Sequence, residues 1–420
     1  MKKRTQLIFL LMFSSTFLCA QSIQTYFVQL SKTIEQTKQV NFSFVDSLDK
    51  WGIKLKPVCK PSANLNKLSC FYTFSLTEKE FNKIEKKLRK SNVVLAIEKE
   101  PVVEVLYYPN DPYADINLEA ENGQTPVSTH DFYTVWDIEK GDTNIVIGVV
   151  DTGIWFHHED IQENIKYNYN ELIDGVNDGN DSLLGEPLID NYRGWDVADW
   201  DNDPSVSGES HGLQVAGILA ATPDNNIGIT GLGFNTKILP IKVSPNSSPS
   251  SITHGYSGIV YAAEHGCRVI NLSWGGTFFP GPIYQELINS LISEYDVVIV
   301  VAAGNSSIEE EYYPSSYDNV ISVTGIRADT SKQKMSTYNY KVDLCAVGWK
   351  SKTLQSSLVN PYRKSSGTSF AAPVVSATAA LLLAKKPYFT SQQVRKQLRV
   401  SALIVDTFNH VVNGVHRDNR

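Results

Sequence analysis

The sequence predicts an α/β protein whose larger part is a parallel sheet with helices on both faces, preceded by a small α+β domain. Three observations lead to this expectation. Continuous apolar runs such as Val297 to Val301 suit strands covered on both faces. Such runs alternate with helical stretches, which implies right-handed crossovers. A turn-rich segment, Tyr107-Tyr108-Pro109-Asn110-Asp111-Pro112, separates a lysine-rich N-terminal stretch from the rest and is read as the linker region. The 420 residues exceed one typical domain, and a hydrophobic fraction of 42% can fill a sizeable core.

Residues 1–20 have a basic start (Lys2, Lys3, Arg4), an apolar run from Leu7 to Leu18, and Ala20 before Gln21 at the cleavage position. This is the pattern of a secretory signal. The run is shorter than the roughly 20 apolar residues a membrane span needs, and no later segment is read as a span, so no stable membrane anchor is expected. Leu18 stands where a small residue would precede a lipidated cysteine, which argues against lipid on Cys19. Of the other cysteines, Cys59 and Cys70 flank a Pro, Asn and Ser turn region and are candidates to pair in an oxidising compartment. Cys267 and Cys345 lie beside apolar strands and read as small buried hydrophobes.

From Thr25 to Glu100 the pattern is a strand (25–30), a helix (41–51), strands around 68–76, a charged helix (77–91) with Ile84 and Leu88 on one face, and a strand (93–98). After the linker come strands at 144–150, 238–243, 268–272 and 296–303, with helices at 213–221, 255–265 and 285–294. The polar stretch Asn177 to Ser210 interrupts this alternation. Residues 21–100 carry about 14 basic and 8 acidic side chains, whereas 101 onward has about 21 and 37. That asymmetry favours mutual association, and it excludes nucleic acid as a partner of the acidic part, because phosphate binding needs positive surface.

Chemistry is concentrated at the ends of these elements. Asp151 directly follows the apolar strand Ile145 to Val150, the position where open α/β sheets bind ligands. His211-Gly212 opens an apolar helix, and a neutral imidazole is what a serine nucleophile needs as general base. Asn305 closes Ala302-Ala303-Gly304-Asn305 after another strand, where its amide can donate to an oxyanion. Ser369 lies in Gly367-Thr368-Ser369-Phe370-Ala371-Ala372-Pro373 at a helix start, where free backbone N–H groups face developing negative charge. The alternatives are an ordinary capped helix for Ser369, a structural histidine for His211 and a simple turn for Asn305.

Taken together, the order Asp151, His211, Asn305, Ser369 resembles the subtilisin-like serine proteases. The matching segments are Val150-Asp151-Thr152-Gly153-Ile154, His211-Gly212 with Val215-Ala216-Gly217, Ala303-Gly304-Asn305 and Gly-Thr-Ser-Phe-Ala-Ala-Pro. Similarity runs from about Pro109 to Leu398. The resemblance implies Ser369 as nucleophile, His211 as base, Asp151 as its orienting carboxylate and Asn305 with the Ser369 N–H as oxyanion hole, with no cofactor needed for the chemistry. It implies that substrate pairs along Ser273-Trp274-Gly275 and beside Gly304, with Tyr312 near the base of the main specificity pocket. Glu309 to Glu311 leave two preferences open, a basic side chain or a small to medium apolar one. The family pattern has Thr and His where this chain has Leu213 and Gln214, so packing behind the base is expected to differ.

The resemblance further divides the chain into a signal (1–20), a ferredoxin-like inhibitory propeptide (21–106), a peptidase domain (107–403) and a C-terminal tail (404–420). The protein is then expected to be a secreted or periplasmic zymogen, acting as a monomer on protein or peptide substrates. The alternative is an inactive secreted protein that keeps a peptide groove. The family commonly carries structural calcium. Asp160 and Asn225 match positions that supply ligands, with carbonyls near Pro223, Ile227 and Ile229. Asp196, Asp199 and Asp201 form a second candidate site.

Overall fold

The computed structural model describes residues 23–34, 36–37, 41–58, 68–101, 107–115, 118, 123–179, 181–206, 210–278 and 280–405, with the backbone of 410–412 and 415–417. The expected signal segment and Cys59 of the expected Cys59–Cys70 pair lie outside these residues. The chain divides between Val105 and Leu106 into two units.

In the first unit, β1 (Ile23–Leu30) alternates so that Tyr26, Val28 and Leu30 are buried. Helix α1 (Phe42–Lys50) begins at Asn41, whose side chain accepts from the Phe44 N–H, and β2 (Lys56–Pro57) is a short edge strand. Strand β3 (Phe71–Thr77) feeds directly into α2 (Glu78–Arg89), because Thr77 and Glu80 form a reciprocal capping box. The 3.6-residue spacing of Phe81, Ile84 and Leu88 then turns one face of α2 inward. With β4 (Val94–Lys99) the sheet has the order β2-β3-β1-β4, antiparallel throughout. It is a small α+β unit, as the sequence predicts.

The second unit is organised by seven parallel strands: β5 (Val146–Asp151), β6 (Trp195–Asp196), β7 (Lys237–Lys242), β8 (Val269–Leu272), β9 (Val298–Ala302), β10 (Ile321–Ile326) and β11 (Leu344–Val347). Their order is β11-β10-β9-β8-β5-β7-β6, and every pairing is parallel. The chain builds one side of the sheet from β5 and then crosses to β8 on the other side. The switch point therefore lies at β5, where ligands bind in such sheets.

Alternation along β5 sends Ile147 and Val149 to one core and Val146 and Val150 to the other. The first core holds α3 (His211–Ala220) and α6 (Ala372–Lys385). The second holds α4 (Gly255–Glu264) and α5 (Pro282–Tyr295). Burial on both faces is why these strands read as unbroken apolar runs. A further helix, α7 (Ser391–Ser401), is set by a second capping box between Thr390 and Gln393.

Several expectations shift. Helix α3 begins at His211 itself and not at Leu213, because the Ser210 hydroxyl accepts from the Leu213 N–H and caps the helix there. The stretch Thr368–Lys385 has the length and hydropathy of a membrane span, contrary to the expectation that no later segment would, and 78% of it is buried inside this fold as a core helix. Tyr107 to Asp111, read as a linker, packs on the loop 224–230: the Tyr107 hydroxyl donates to Asp224 and the buried Asp111 carboxylate accepts from the Asp224 and Asn225 N–H groups. Cys267 is buried as expected, whereas Cys345 is half-buried.

Candidate active site

Four strand and helix ends converge beyond the carboxyl edge of the sheet. Asp151 is the last residue of β5 and is buried. Its Oδ1 accepts from the Thr152 N–H at 2.7 Å and from His211 Nδ1 at 2.8 Å. His211 opens α3, and Ser210, which caps that helix, also donates its hydroxyl to the Gly153 carbonyl at 2.5 Å. Gly212 is required by close approach: a Cβ there would lie 2.3 Å from the Gly153 oxygen. The loop after β5 and the start of α3 are thereby fixed against each other, which aims Nδ1 at the carboxylate.

Burial pushes the His211 imidazole towards its neutral form, but the charge and hydrogen bond of Asp151 more than offset this and hold its pKa above the ordinary histidine value. About a third of the ring surface remains open to solvent. Nδ1 is committed to Asp151, so Nε2 is the nitrogen left to exchange protons.

Ser369 sits in a single 3-10 turn, Thr368–Phe370, immediately before α6. Its hydroxyl donates to the Ser273 carbonyl at 3.0 Å, and its own carbonyl accepts from the Ser273 hydroxyl at 2.9 Å. The neighbouring Phe370 ring lies 5.7 Å from that of His211. In this resting arrangement the hydroxyl must rotate from Ser273 to meet His211, a tightening common once substrate is bound.

Asn305 follows β9, and its Oδ1 accepts from the Thr368 N–H at 2.9 Å. With the oxygen held there, the amide Nδ2 is free to donate towards substrate. Thr368 is a residue that motif reading overlooked. Its hydroxyl also engages the Gly304 backbone, so one threonine ties the asparagine loop to the serine turn.

A groove of about 700 Å³ runs past this constellation, and Ile252, Thr253, Tyr256, Trp274, Gly275 and Tyr312 are among the residues that line it. Trp274 is anchored by its indole N–H on the Val150 carbonyl at 2.8 Å. Gly276 and Tyr313 exchange two backbone hydrogen bonds of 2.9 Å, which fixes the segment Ser273 to Gly276. Leu213 and Gln214, the departures from the family pattern, have separate fates. Leu213 is fully buried in the core, while Gln214 Oε1 accepts from the Ser365 hydroxyl at 2.6 Å.

The two calcium expectations meet different surroundings. Asp160 is fully buried and accepts from Asn225 Nδ2 at 2.8 Å, the Ile229 N–H at 3.1 Å and the Tyr362 hydroxyl at 3.1 Å. Burial pushes its carboxyl up to about 8, and the negative charge of Asp111 adds to that shift. Asp111, missed in the sequence because it lies in a Pro-Asn-Asp-Pro turn, is itself raised by burial. Gly228 passes so close, with φ of 56°, that a Cβ there would lie 2.3 Å from Asp160 Oδ2. The oxygens of both buried acids are taken up by N–H and O–H donors, whereas a hard divalent cation would need those oxygens turned towards it.

Of Asp196, Asp199 and Asp201, expected as a calcium loop, two are engaged by a lysine. The ammonium of Lys242, itself buried, pairs with Asp196 and reaches Asp199 Oδ2 at 3.0 Å. Burial alone would lower the lysine, yet the two carboxylates hold it above its ordinary range. The Asp201 carboxylate accepts from the Asp203 N–H at 2.9 Å. The countercharge for this part of the expectation comes from the end of the adjacent strand. Among the described residues no group of three or more His, Cys, Asp or Glu side chains forms a metal cluster.

Comparison with known proteins agrees with this architecture. The family model described as the Subtilase family (Peptidase S8) matches residues 142–419. The chain is similar to thermitase of Thermoactinomyces vulgaris, 34% identical over 278 residues that cover 66% of this chain and 85% of that protein. It is 30% identical to subtilisin DY of Bacillus licheniformis over 62% of this chain and 84% of that one. It is also 30% identical to halolysin of Haloferax mediterranei over 71% of this chain, but there it spans only 51% of the relative. A solved protease structure from Pseudoalteromonas arctica PAMC 21717 superposes with a TM-score of 0.55 at 24% identity, covering 71% of this chain and 94% of that one, which bears on the fold alone.

Proposed function

The chain belongs to the subtilase family of serine proteases, and we propose that it hydrolyses peptide bonds through Ser369, His211 and Asp151, with Asn305 and the Ser369 N–H as oxyanion donors. The observation that carries this assignment is the 2.8 Å bond from His211 Nδ1 to Asp151 Oδ1, placed at the sheet's switch point beside Ser369 and the free amide of Asn305.

In this reading Ser369 Oγ attacks the peptide carbonyl carbon while its proton passes to His211 Nε2. Asp151 keeps the Nδ1–H in place and stabilises the imidazolium without taking the proton. The oxyanion is held by Asn305 Nδ2 and the Ser369 N–H, one of the helix-start donors that lack helical acceptors. Collapse expels the amine, protonated by His211, and leaves an acyl-enzyme. Water then repeats the sequence. The backbone of substrate is expected to lie along Ser273 to Gly275 as an added strand.

Substitution Ser369→Ala tests the assignment by hydrolysis of a denatured protein and by labelling with a serine-reactive organophosphate. Turnover should fall by roughly 10⁶-fold, the loss that removing the nucleophile causes in subtilisin itself. Equal rates in parent and variant would sink the assignment.

The N-terminal unit is assigned as a folding aid and inhibitor removed on maturation, consistent with its basic charge beside an acidic remainder. With the basic and apolar pattern of residues 1–20, this makes the protein an extracytoplasmic zymogen. The mature N-terminus should map between about residues 100 and 125. An intact N-terminal unit on the active secreted protein would remove the zymogen assignment. With the acid oxygens turned from their present N–H and O–H donors, Asp160, Asn225 and Asp111 would hold a structural calcium ion, whose charge would stabilise the loop 224–229 without entering the chemistry.

A further inference from the structure

In the proteolytic reading above, on which this inference rests, the attacked carbonyl lies between Ser369 Oγ and Asn305 Nδ2. The side chain attached to that carbonyl's residue must then enter the space between the segment after β8 (Ser273 to Gly276) and the segment after β9 (Ala303 to Asn305). Both walls are glycine at the critical points, and the space between them holds the ring of Tyr312. A Cβ on Gly275 would fall 2.6 Å from Tyr312 Cε1, and one on Gly304 would fall 2.8 Å from Tyr312 Cγ. The ring therefore touches both walls and fills the gap that the glycines leave.

Its backbone is fixed from several sides. The Tyr312 N–H donates to the Ser316 hydroxyl at 3.0 Å, and its carbonyl accepts from the Ser315 hydroxyl at 2.6 Å and the Ser316 N–H at 2.8 Å. Tyr313 is paired on both sides with Gly276. The ring can leave only by rotation about its own side-chain bonds, not by movement of the loop. The glutamates upstream do not offer a basic side chain a partner. Glu311 is engaged by the Tyr313 hydroxyl and, at 2.7 Å, by the Tyr340 hydroxyl, and none of Glu309, Glu310 and Glu311 is among the described residues lining the groove.

We propose that Tyr312 closes the pocket for the residue on the carbonyl side of the scissile bond, so that the protein cleaves after glycine, alanine or serine and rejects large side chains. Forcing extra methylenes into a packed space costs enough to reduce kcat/KM by about 10- to 100-fold.

The test uses the full secreted protein and fluorogenic peptides that differ only at this residue. Alanine should exceed phenylalanine in kcat/KM by about 10- to 100-fold, and peptide aldehydes ending in alaninal should inhibit better than those ending in phenylalaninal by a similar factor. In Tyr312→Gly the ratio for phenylalanine over alanine should rise by about the same amount. A parent that favours phenylalanine or leucine overturns the proposal, as does a variant with an unchanged ratio. If the variant does not fold, the aldehyde series on the parent decides alone. Labelling of Ser369 combined with a preference for large residues overturns only this inference, whereas no labelling and no hydrolysis overturn it together with the proteolytic reading.

Discussion

Two acids stand at equivalent places on the same sheet and live by different chemistry. Asp151 ends β5 and Asp196 ends β6, and both are in register with Lys242 at the end of β7 between them. The row thus holds two buried carboxylates and one buried ammonium. Lys242 turns to Asp196 and Asp199, which leaves Asp151 with His211 as its only basic partner among the described residues. Both carboxylates are buried, and a charge inside the fold needs a partner. What separates a catalytic acid from a structural one here is whether that partner can move a proton at neutral pH.

Removing the charge of Asp151 should break the catalytic side with the largest effect. Asp151→Asn keeps the shape but presents the wrong hydrogen-bonding face to His211, and in serine proteases of this chemistry that substitution lowers kcat by about 10⁴-fold. Peptide hydrolysis together with a melting curve measures it. A fall of less than tenfold in a folded variant would put the base's orientation elsewhere. On the structural side, Lys242→Met leaves Asp196 buried without a countercharge, held only by the Ala198 and Asp199 N–H groups, and should cost about 3–5 kcal/mol in urea unfolding. Recovery of that loss by millimolar calcium would instead support the metal site expected of Asp196 and Asp199.

The same contrast marks what the sequence discloses. Asp151, His211 and Ser369 are legible because each sits at an element boundary with a local signature: an apolar strand, a capped apolar helix, a small-residue turn. Lys242 is not, because its pairing depends on which strands become neighbours, and β6 lies 40 or more residues before its partner strand in the chain. Asp111 was hidden by turn formers that read as a solvated linker, whereas its buried carboxylate organises the loop 224–230. Thr368 lies inside a recognised motif, but its role requires the distance to Asn305. Helix α7 carries a Thr-x-x-Gln capping signature that sequence alone could have exposed. The resemblance put Tyr312 near the base of the specificity pocket, but how its ring sits there could not be read, since that follows from two glycines, each just after a different strand, leaving room for one ring.

Asp160 and Asp196 sharpen the comparison for metal. Asp160 has neutral donors and a second acid nearby, whereas Asp196 has an ammonium. Chelation should therefore lower the melting temperature through the first site only, by about 5 °C if calcium is present at roughly 100 times its dissociation constant. Asp160→Asn should abolish that sensitivity, and Asp199→Asn should leave it intact. Equal sensitivity in both variants would dissolve the distinction between the two acid groups.

The smallest effect is the most direct reading of the Asp151–His211 pair. In Ser369→Ala, where no chemistry intervenes, the imidazole resonance of His211 should titrate above the ordinary value of 6.5, because Asp151 outweighs the burial that acts against charge. Adding Asp151→Asn removes the opposing charge and leaves burial, so the midpoint should fall below 6.5. The sign has two consequences in the parent. Stability from the pair is fully present below the unfolded histidine's value and is lost as pH rises through the raised one. Hydrolysis, which needs the neutral base, runs the other way and gains over the same interval. A midpoint at or below 6.5 in Ser369→Ala would mean that Asp151 does not compensate the buried ring, and the division of labour between the two ends of the row would lose its electrostatic basis.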